Sequence, residues 1–210
     1  MRNVTDRTRN PFDMRPPCDR VVPGYGDANA HFHVIGDHPG VHGGAETGVP
    51  FTGTDPARRL QRALRAGGLL DAVGDAPDVA ATFLSYLHPC VPDGETPTAA
   101  DYADLEPVFD AELRAIAAHV LLPVGARATR HVLDQYTARA HDTEVAMDRL
   151  HGEELLGSGW LVVPIRDPAA WAADDDDRLV ELLVELRRTD YRRECDLGRF
   201  LPGDEPYLVR

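Results

Sequence analysis

Lysine is missing from this 210-residue chain, and all 22 of its basic residues are arginine. Positive charge is also the minority sign, because 35 Asp and Glu bring the net charge to −13 at pH 7. Cysteine is scarce. Cys18, Cys90 and Cys195 make neither a disulfide framework nor a complete four-thiolate site. No apolar run approaches the roughly 18 residues that a membrane span needs. The first residues, M-R-N-V-T-D-R, carry no apolar signal core, so the expectation is a cytoplasmic protein without a membrane partner. At 43% apolar residues the chain has ample material for one packed core, and one domain over 1–210 is expected. Self-repulsion of this size is tolerable when salt screens it, which fits a halophilic protein. A GC-rich genome that exchanges Lys codons for Arg leaves the same mark, and the two readings are compatible.

What the chain does have is concentrated between Val34 and Gly53, in V-I-G-D-H-P-G-V-H-G-G-A-E-T-G-V-P-F-T-G. An apolar strand runs into an abrupt turn, then a glycine-rich loop with one Phe between Pro and Thr-Gly. Such loops let backbone approach a ligand at the C-terminal end of a strand, where open α/β sheets keep their sites. Around it the chain alternates strands and helices. Residues 1–29 read as an irregular leader. Strands are expected at His31–Ile35, Ala81–Leu87, Val120–Pro123 and Trp160–Ile165. Helices are expected from a cap at Thr54 or Asp55 to about Ala66, from Thr98 with Pro107 starting a second and longer helix, after the third strand and its Gly125 through about Tyr136, and from Asp174 to about Arg193, followed by a tail over 194–210. The Asp174–Asp177 run suits a helix N-terminus. This order predicts a three-layer α/β/α sandwich around a short, mainly parallel four-stranded sheet. The turns Gly36–Gly53, His88–Pro97 and Arg166–Trp171 then meet at one edge of it.

At these residues the chain resembles the uracil-DNA glycosylase superfamily, in particular its prokaryotic families 4 and 5. The resemblance rests on the leader Val22-Pro23-Gly24-Tyr25-Gly26-Asp27, on the loop from His42-Gly43 through Thr47-Gly48-Val49-Pro50-Phe51-Thr52-Gly53, on Ser85 to Glu112, and on Val120 to Ala128. It implies a protein of DNA repair, here in a haloarchaeal setting, that flips a uracil or another deaminated base out of DNA and cleaves its glycosidic bond. Flipping is required because that bond cannot be reached inside a duplex. It also implies base-binding roles for Gly36, His38, Gly40, Phe51 and Tyr86, with Phe51 as the stacking residue, and catalytic roles for Asp37 and Asp167. The protein is expected to act as a monomer. The alternative is an impaired relative that binds a nucleobase, nucleotide or protein partner in the same pocket.

The chain departs from the family at three places. Tyr86 stands where the family reads uracil with Asn, and it lacks an amide's paired donor and acceptor. Asp167 stands where the family has His, so an acceptor replaces a donor. Asp37 stands where family 4 has Glu and family 5 an apolar residue. The iron–sulfur cluster of these families is expected to be lost. Cys18 and Cys90 fit two of its four ligand places, Arg15 and Leu105 take the others, and two thiolates do not hold a four-Cys cluster. Cys18 and Cys90 should still be neighbours, as thiols or a disulfide, and Cys195 a buried helix residue.

Each candidate also has a plainer reading. Asp37 suits a turn carboxylate, Phe51 core, Tyr86 a filler of the pocket, Asp167 a cap, and Trp171 either a wedge into DNA or a buried aromatic. His38, His42 and His88 could with Asp37 and Asp167 bind Zn²⁺ or Mn²⁺, but no tight ligand spacing supports a metal. The Arg clusters at Arg58–Arg65 and Arg187–Arg193 read as helix faces paired with Asp and Glu rather than as a DNA track.

Overall fold

The computed structural model describes residues 15–94, 96–137, 145–192 and 195. The tail, Cys195 excepted, lies outside them. The last helix, expected to reach about Arg193, ends at Leu186, where the Arg187 N–H closes on the Leu183 carbonyl and a turn over 187–190 follows.

In chain order the elements are β1 (Tyr25–Gly26), β2 (Phe32–Gly36), α1 (Pro39–His42), α2 (Asp55–Ala66), β3 (Leu70–Ala72), β4 (Asp78–Val79), β5 (Thr82–Tyr86), α3 (Ala99–Ile116), β6 (Val120–Pro123), α4 (Gly125–Tyr136), α5 (Met147–Leu150), β7 (Leu155–Gly157), β8 (Trp160–Val162), a 3₁₀ turn at Pro168–Ala170, and α6 (Asp175–Leu186). Six strands form the main sheet in the order β1-β5-β2-β6-β8-β7. The four expected strands are its parallel centre, and β1 and β7 add an antiparallel strand at each edge. The expected four-stranded sheet is therefore the middle of a six-stranded one. A small β3–β4 hairpin stands apart.

Strand alternation divides the core into two layers. Phe32 and Val34 of β2, Leu84 and Tyr86 of β5, and Val120 and Leu122 of β6 face Leu60 and Leu64 of α2 and Leu179 and Leu183 of α6. Ile35, Leu121 and Val162 point the other way, onto Phe109 and Leu113 of α3 and Val132 and Leu133 of α4. That is the α/β/α sandwich.

Helix starts follow local chemistry. The Thr54 hydroxyl accepts from the Ala57 N–H at the head of α2. Thr98 and Asp101 form a reciprocal capping box on α3. Asp175, Asp176 and Asp177 fill the first turn of α6. Pro107 does not start a new helix, because α3 runs unbroken through it. Pro107 and Ala103, whose carbonyl loses its partner, are both on the exposed face, where water can serve that carbonyl.

Candidate active site

The parallel strands all end at one sheet edge, and the turns after β2, β5, β6 and β8 gather there. Gly36, the last residue of β2, pairs in register with Tyr86, the last of β5. A Cβ on Gly36 would stand 2.6 Å from the Tyr86 ring and 2.8 Å from Phe51 Cζ, so only glycine lets these rings close over the strand end.

The glycine-rich loop is held from within. Gly43 has φ 88°, and a Cβ there would strike the Thr52 carbonyl at 2.2 Å. Phe51 itself adopts φ 57°, a left-handed conformation that is strained for a bulky side chain. Two buried side chains hold it there. The Phe51 N–H donates to the Tyr86 hydroxyl at 2.7 Å, and Gln61 Nε2 donates to the Phe51 carbonyl at 2.7 Å. The Tyr86 hydroxyl in turn donates to the Gly43 carbonyl at 2.8 Å. Tyr86 thus fills the space beside Phe51, ring centroids 5.1 Å apart, and spends its hydroxyl on the loop backbone. Burial pushes that hydroxyl's pKa up, which keeps it protonated.

Asp37 follows Gly36 and sits between α3 and α4. Its carboxylate accepts from the Tyr102 hydroxyl and lies 3.5 Å from Arg127 Nε, with 17% of the side chain exposed. The Arg127 guanidinium also stacks over the Tyr102 ring at 4.5 Å. Burial, and then the carboxylate beside it, push the Tyr102 hydroxyl up, so it remains a donor. Tyr102 and Arg127 carry no local sequence signature of this role. One signal existed: Arg127 lies in the first turn of α4, where its charge opposes the helix dipole.

The histidines of the crevice are fixed by backbone. His42 Nδ1 accepts from the Asp37 N–H at 2.9 Å, and its ring stacks on Phe51 at 5.8 Å. His38 caps α1, its Nδ1 accepting from the Gly40 N–H at 3.1 Å. A Cβ on Gly40 would crowd the His38 ring at 3.0 Å. His88 Nδ1 pairs with the Cys90 carbonyl at 3.1 Å. Burial lowers the pKa of both His38 and His42, against the opposing pull of nearby carboxylates. Among the described residues no three His, Cys, Asp or Glu side chains come together as a metal site.

The turn after β8 is a different construction. Asp167 accepts from the Ala169 N–H at 2.9 Å and so caps the 3₁₀ turn, and its charge partly opposes the burial that lowers the pKa of His42. Trp171 is buried, its Nε1–H donating to the Arg166 carbonyl at 2.7 Å, so the buried-aromatic reading holds and the wedge does not. Arg59 donates to the Trp171 and Ala172 carbonyls and pairs with Asp176. Arg58 pairs with Asp55, and Arg188 with Glu185.

Cys18 and Cys90 form a disulfide with Cα atoms 6.0 Å apart. Beside it, Val22 N–H donates to the Pro89 carbonyl and Val91 N–H to the Arg20 carbonyl, tying the leader to the turn after β5. Leu105 is buried and Arg15 exposed. A disulfide, a Leu and an Arg do not fit a four-thiolate iron–sulfur cluster.

The sequence matches the profile of the uracil DNA glycosylase superfamily over residues 23–187. It is 30% identical to a type-5 uracil-DNA glycosylase of Pyrobaculum aerophilum over 184 residues, which is 85% of this chain and 77% of that protein. A type-5 uracil-DNA glycosylase of Mycobacterium tuberculosis is 32% identical over 53% of this chain and 44% of its own length. One of Thermus thermophilus is 34% identical over 41% and 42%.

Proposed function

Because the chain belongs to the uracil-DNA glycosylase superfamily, as a divergent type-5-like member, we propose that it hydrolyses the N-glycosidic bond of a uracil or another deaminated base flipped out of DNA. The observation that carries this reading is Asp37, a partly exposed carboxylate at the end of β2, held by Tyr102 and Arg127 beside the Phe51 wall. As the bond from C1′ to the base breaks, its electron pair leaves with the base and positive charge develops on the sugar. A fixed carboxylate stabilises that charge and accepts the proton of the water that adds to C1′. The departing base takes up a proton, which completes the hydrolysis. Tyr102 and Arg127 hold Asp37 in one orientation, so little reorganisation is needed at the moment of reaction. Tyr86 closes the far side of Phe51, and the base is accommodated on the side lined by His38, His42 and Asp37. No iron–sulfur cluster takes part, and the acidic surface serves function in concentrated salt.

The test is an excision assay on single- and double-stranded oligonucleotides carrying uracil, hypoxanthine or xanthine, in dilute and in multimolar KCl. The expected product is an alkali-labile abasic site, formed by the wild type and lost in Asp37→Asn. Cleavage of none of these substrates, or equal cleavage by the variant, overturns the reading. A melting temperature that does not change with KCl would separately remove the adaptation to salt.

A further inference from the structure

Two imidazole nitrogens in the crevice have no hydrogen-bond partner among the described residues although both are buried: Nε2 of His38 and Nε2 of His42. Their tautomers follow from geometry. Each ring accepts a backbone N–H at Nδ1, His42 from Asp37 and His38 from Gly40. An accepting Nδ1 carries no proton, so in the neutral ring the proton is on Nε2. Both unpartnered atoms are therefore N–H donors, fixed in direction and left unused. Buried donors without an acceptor are rare and costly, and two within five residues call for a ligand that supplies acceptors. Beside His42 stands Gly125, the first residue of α4, where a Cβ would come into ordinary contact with Nε2 at 3.7 Å, so the imidazole faces a helix start without a side chain. The residues that stand at the family's base-reading positions cannot supply such donors. The Tyr86 hydroxyl gives its proton to the loop, and the Asp167 carboxyl is turned to accept the Ala169 N–H.

We propose that His38 and His42 are the specificity-determining residues, their Nε2–H groups receiving the carbonyl oxygens of a deaminated base. Deamination replaces an exocyclic amine, a donor, by a carbonyl, an acceptor. Cytosine becomes uracil, adenine hypoxanthine, and guanine xanthine. An N–H facing the parent's amine leaves two donors opposed and unpaired, whereas one facing the new carbonyl makes a hydrogen bond. A site whose buried groups must be paired discriminates strongly on this ground. Base reading has thus moved from β5 and the β8 turn into the segment that follows β2. The inference rests on the glycosylase reading for its substrate, but recognition can be measured apart from cleavage.

His38→Asn and His42→Asn keep an oxygen near the Nδ1 position, able to accept the same backbone N–H, and remove the Nε2 donor. The wild type and both variants are compared in single-turnover excision of uracil, hypoxanthine and xanthine. Equilibrium binding is measured to oligonucleotides carrying uracil or its parent cytosine, with the melting temperature as a check on folding. Each variant is expected to melt within a few degrees of the wild type, and to lose about tenfold of its preference for uracil over cytosine in binding. Excision that proceeds with the same selectivity in the variants overturns the proposal and leaves the glycosylase reading standing. Histidine-dependent preference for the uracil oligonucleotide without any excision does the reverse. Absence of both excision and preference removes both.

Discussion

Two flanks of the crevice use similar residues to opposite ends. On the β2 flank the polar groups are left unfinished: Asp37 keeps an exposed edge, and His38 and His42 each leave Nε2 without a partner. On the β8 flank the donors are consumed: Trp171 Nε1–H is bonded to the Arg166 carbonyl and Arg59 closes on the carbonyls of Trp171 and Ala172, while Asp167 gives one oxygen to a turn. Both flanks offer a carboxylate, and they are held differently: side chains from α3 and α4 grip the two oxygens of Asp37, whereas one local amide holds one oxygen of Asp167. The contrast shows that a carboxylate's place in a crevice does not fix its task. What fixes its direction decides whether it can act on a substrate.

The sharpest way to break the contrast is to neutralise one carboxylate at a time. Asp37→Asn should lower single-turnover excision by about 10²–10⁴-fold, the range expected for a positioned acid–base group. Asp167→Asn should change the same rate by less than tenfold, and an equal loss would erase the distinction between the flanks. The second test concerns the tie that holds the β2 flank. Tyr86→Phe leaves the buried Phe51 N–H without its acceptor, and should cost about 1–3 kcal/mol in urea unfolding. A neutral result would mean that the loop finds another way to hold Phe51 at positive φ.

Acid separates the histidines by task. His33 lies behind the crevice, fully buried with Nε2 on Ser85 Oγ, and burial drives its pKa down to about 3. A pKa lowered on folding means that the unfolded state binds the proton first as the pH falls. Stability is therefore full above about 6.5 and declines between there and about 3, by about 2 kcal/mol at pH 5 from His33 alone. His38, His42 and His151 are shifted in the same direction and add to the loss. Urea melts at pH 7 and pH 5 on the wild type and His33→Gln measure the share. The smallest effect should come from Asp167→Ala, which removes a turn cap at about 1 kcal/mol.

The four central strands were legible because each is an apolar run with turn residues behind it, and their parallel order followed from the helices between them. β1 and β7 were not, since two or three residues are too few to show a period of two. The break expected at Pro107 failed for a local reason, a carbonyl lost on an exposed face costing too little to end an 18-residue helix. In the site, the glycine loop and Phe51 could be read because their backbone demands are written in Gly and Pro. The partners of Asp37 could not, because Tyr102 and Arg127 come from α3 and α4 and meet it only when both helices cover the sheet. The idle Nε2 atoms of His38 and His42 were equally hidden, since a tautomer depends on which backbone amide reaches the ring.

The Cys18–Cys90 bond also has a mechanical consequence. It closes a covalent ring across 72 positions that holds β1, β2, the glycine loop, α2, the β3–β4 hairpin and β5. Pulled by its two ends, the oxidised chain can pay out only what lies outside that ring, so about 250 Å of contour stays hidden until the bond is reduced. Under load the stretch that carries Asp37, His38 and His42 is a closed loop, while α3, α4 and α6 lie on the open length of the chain.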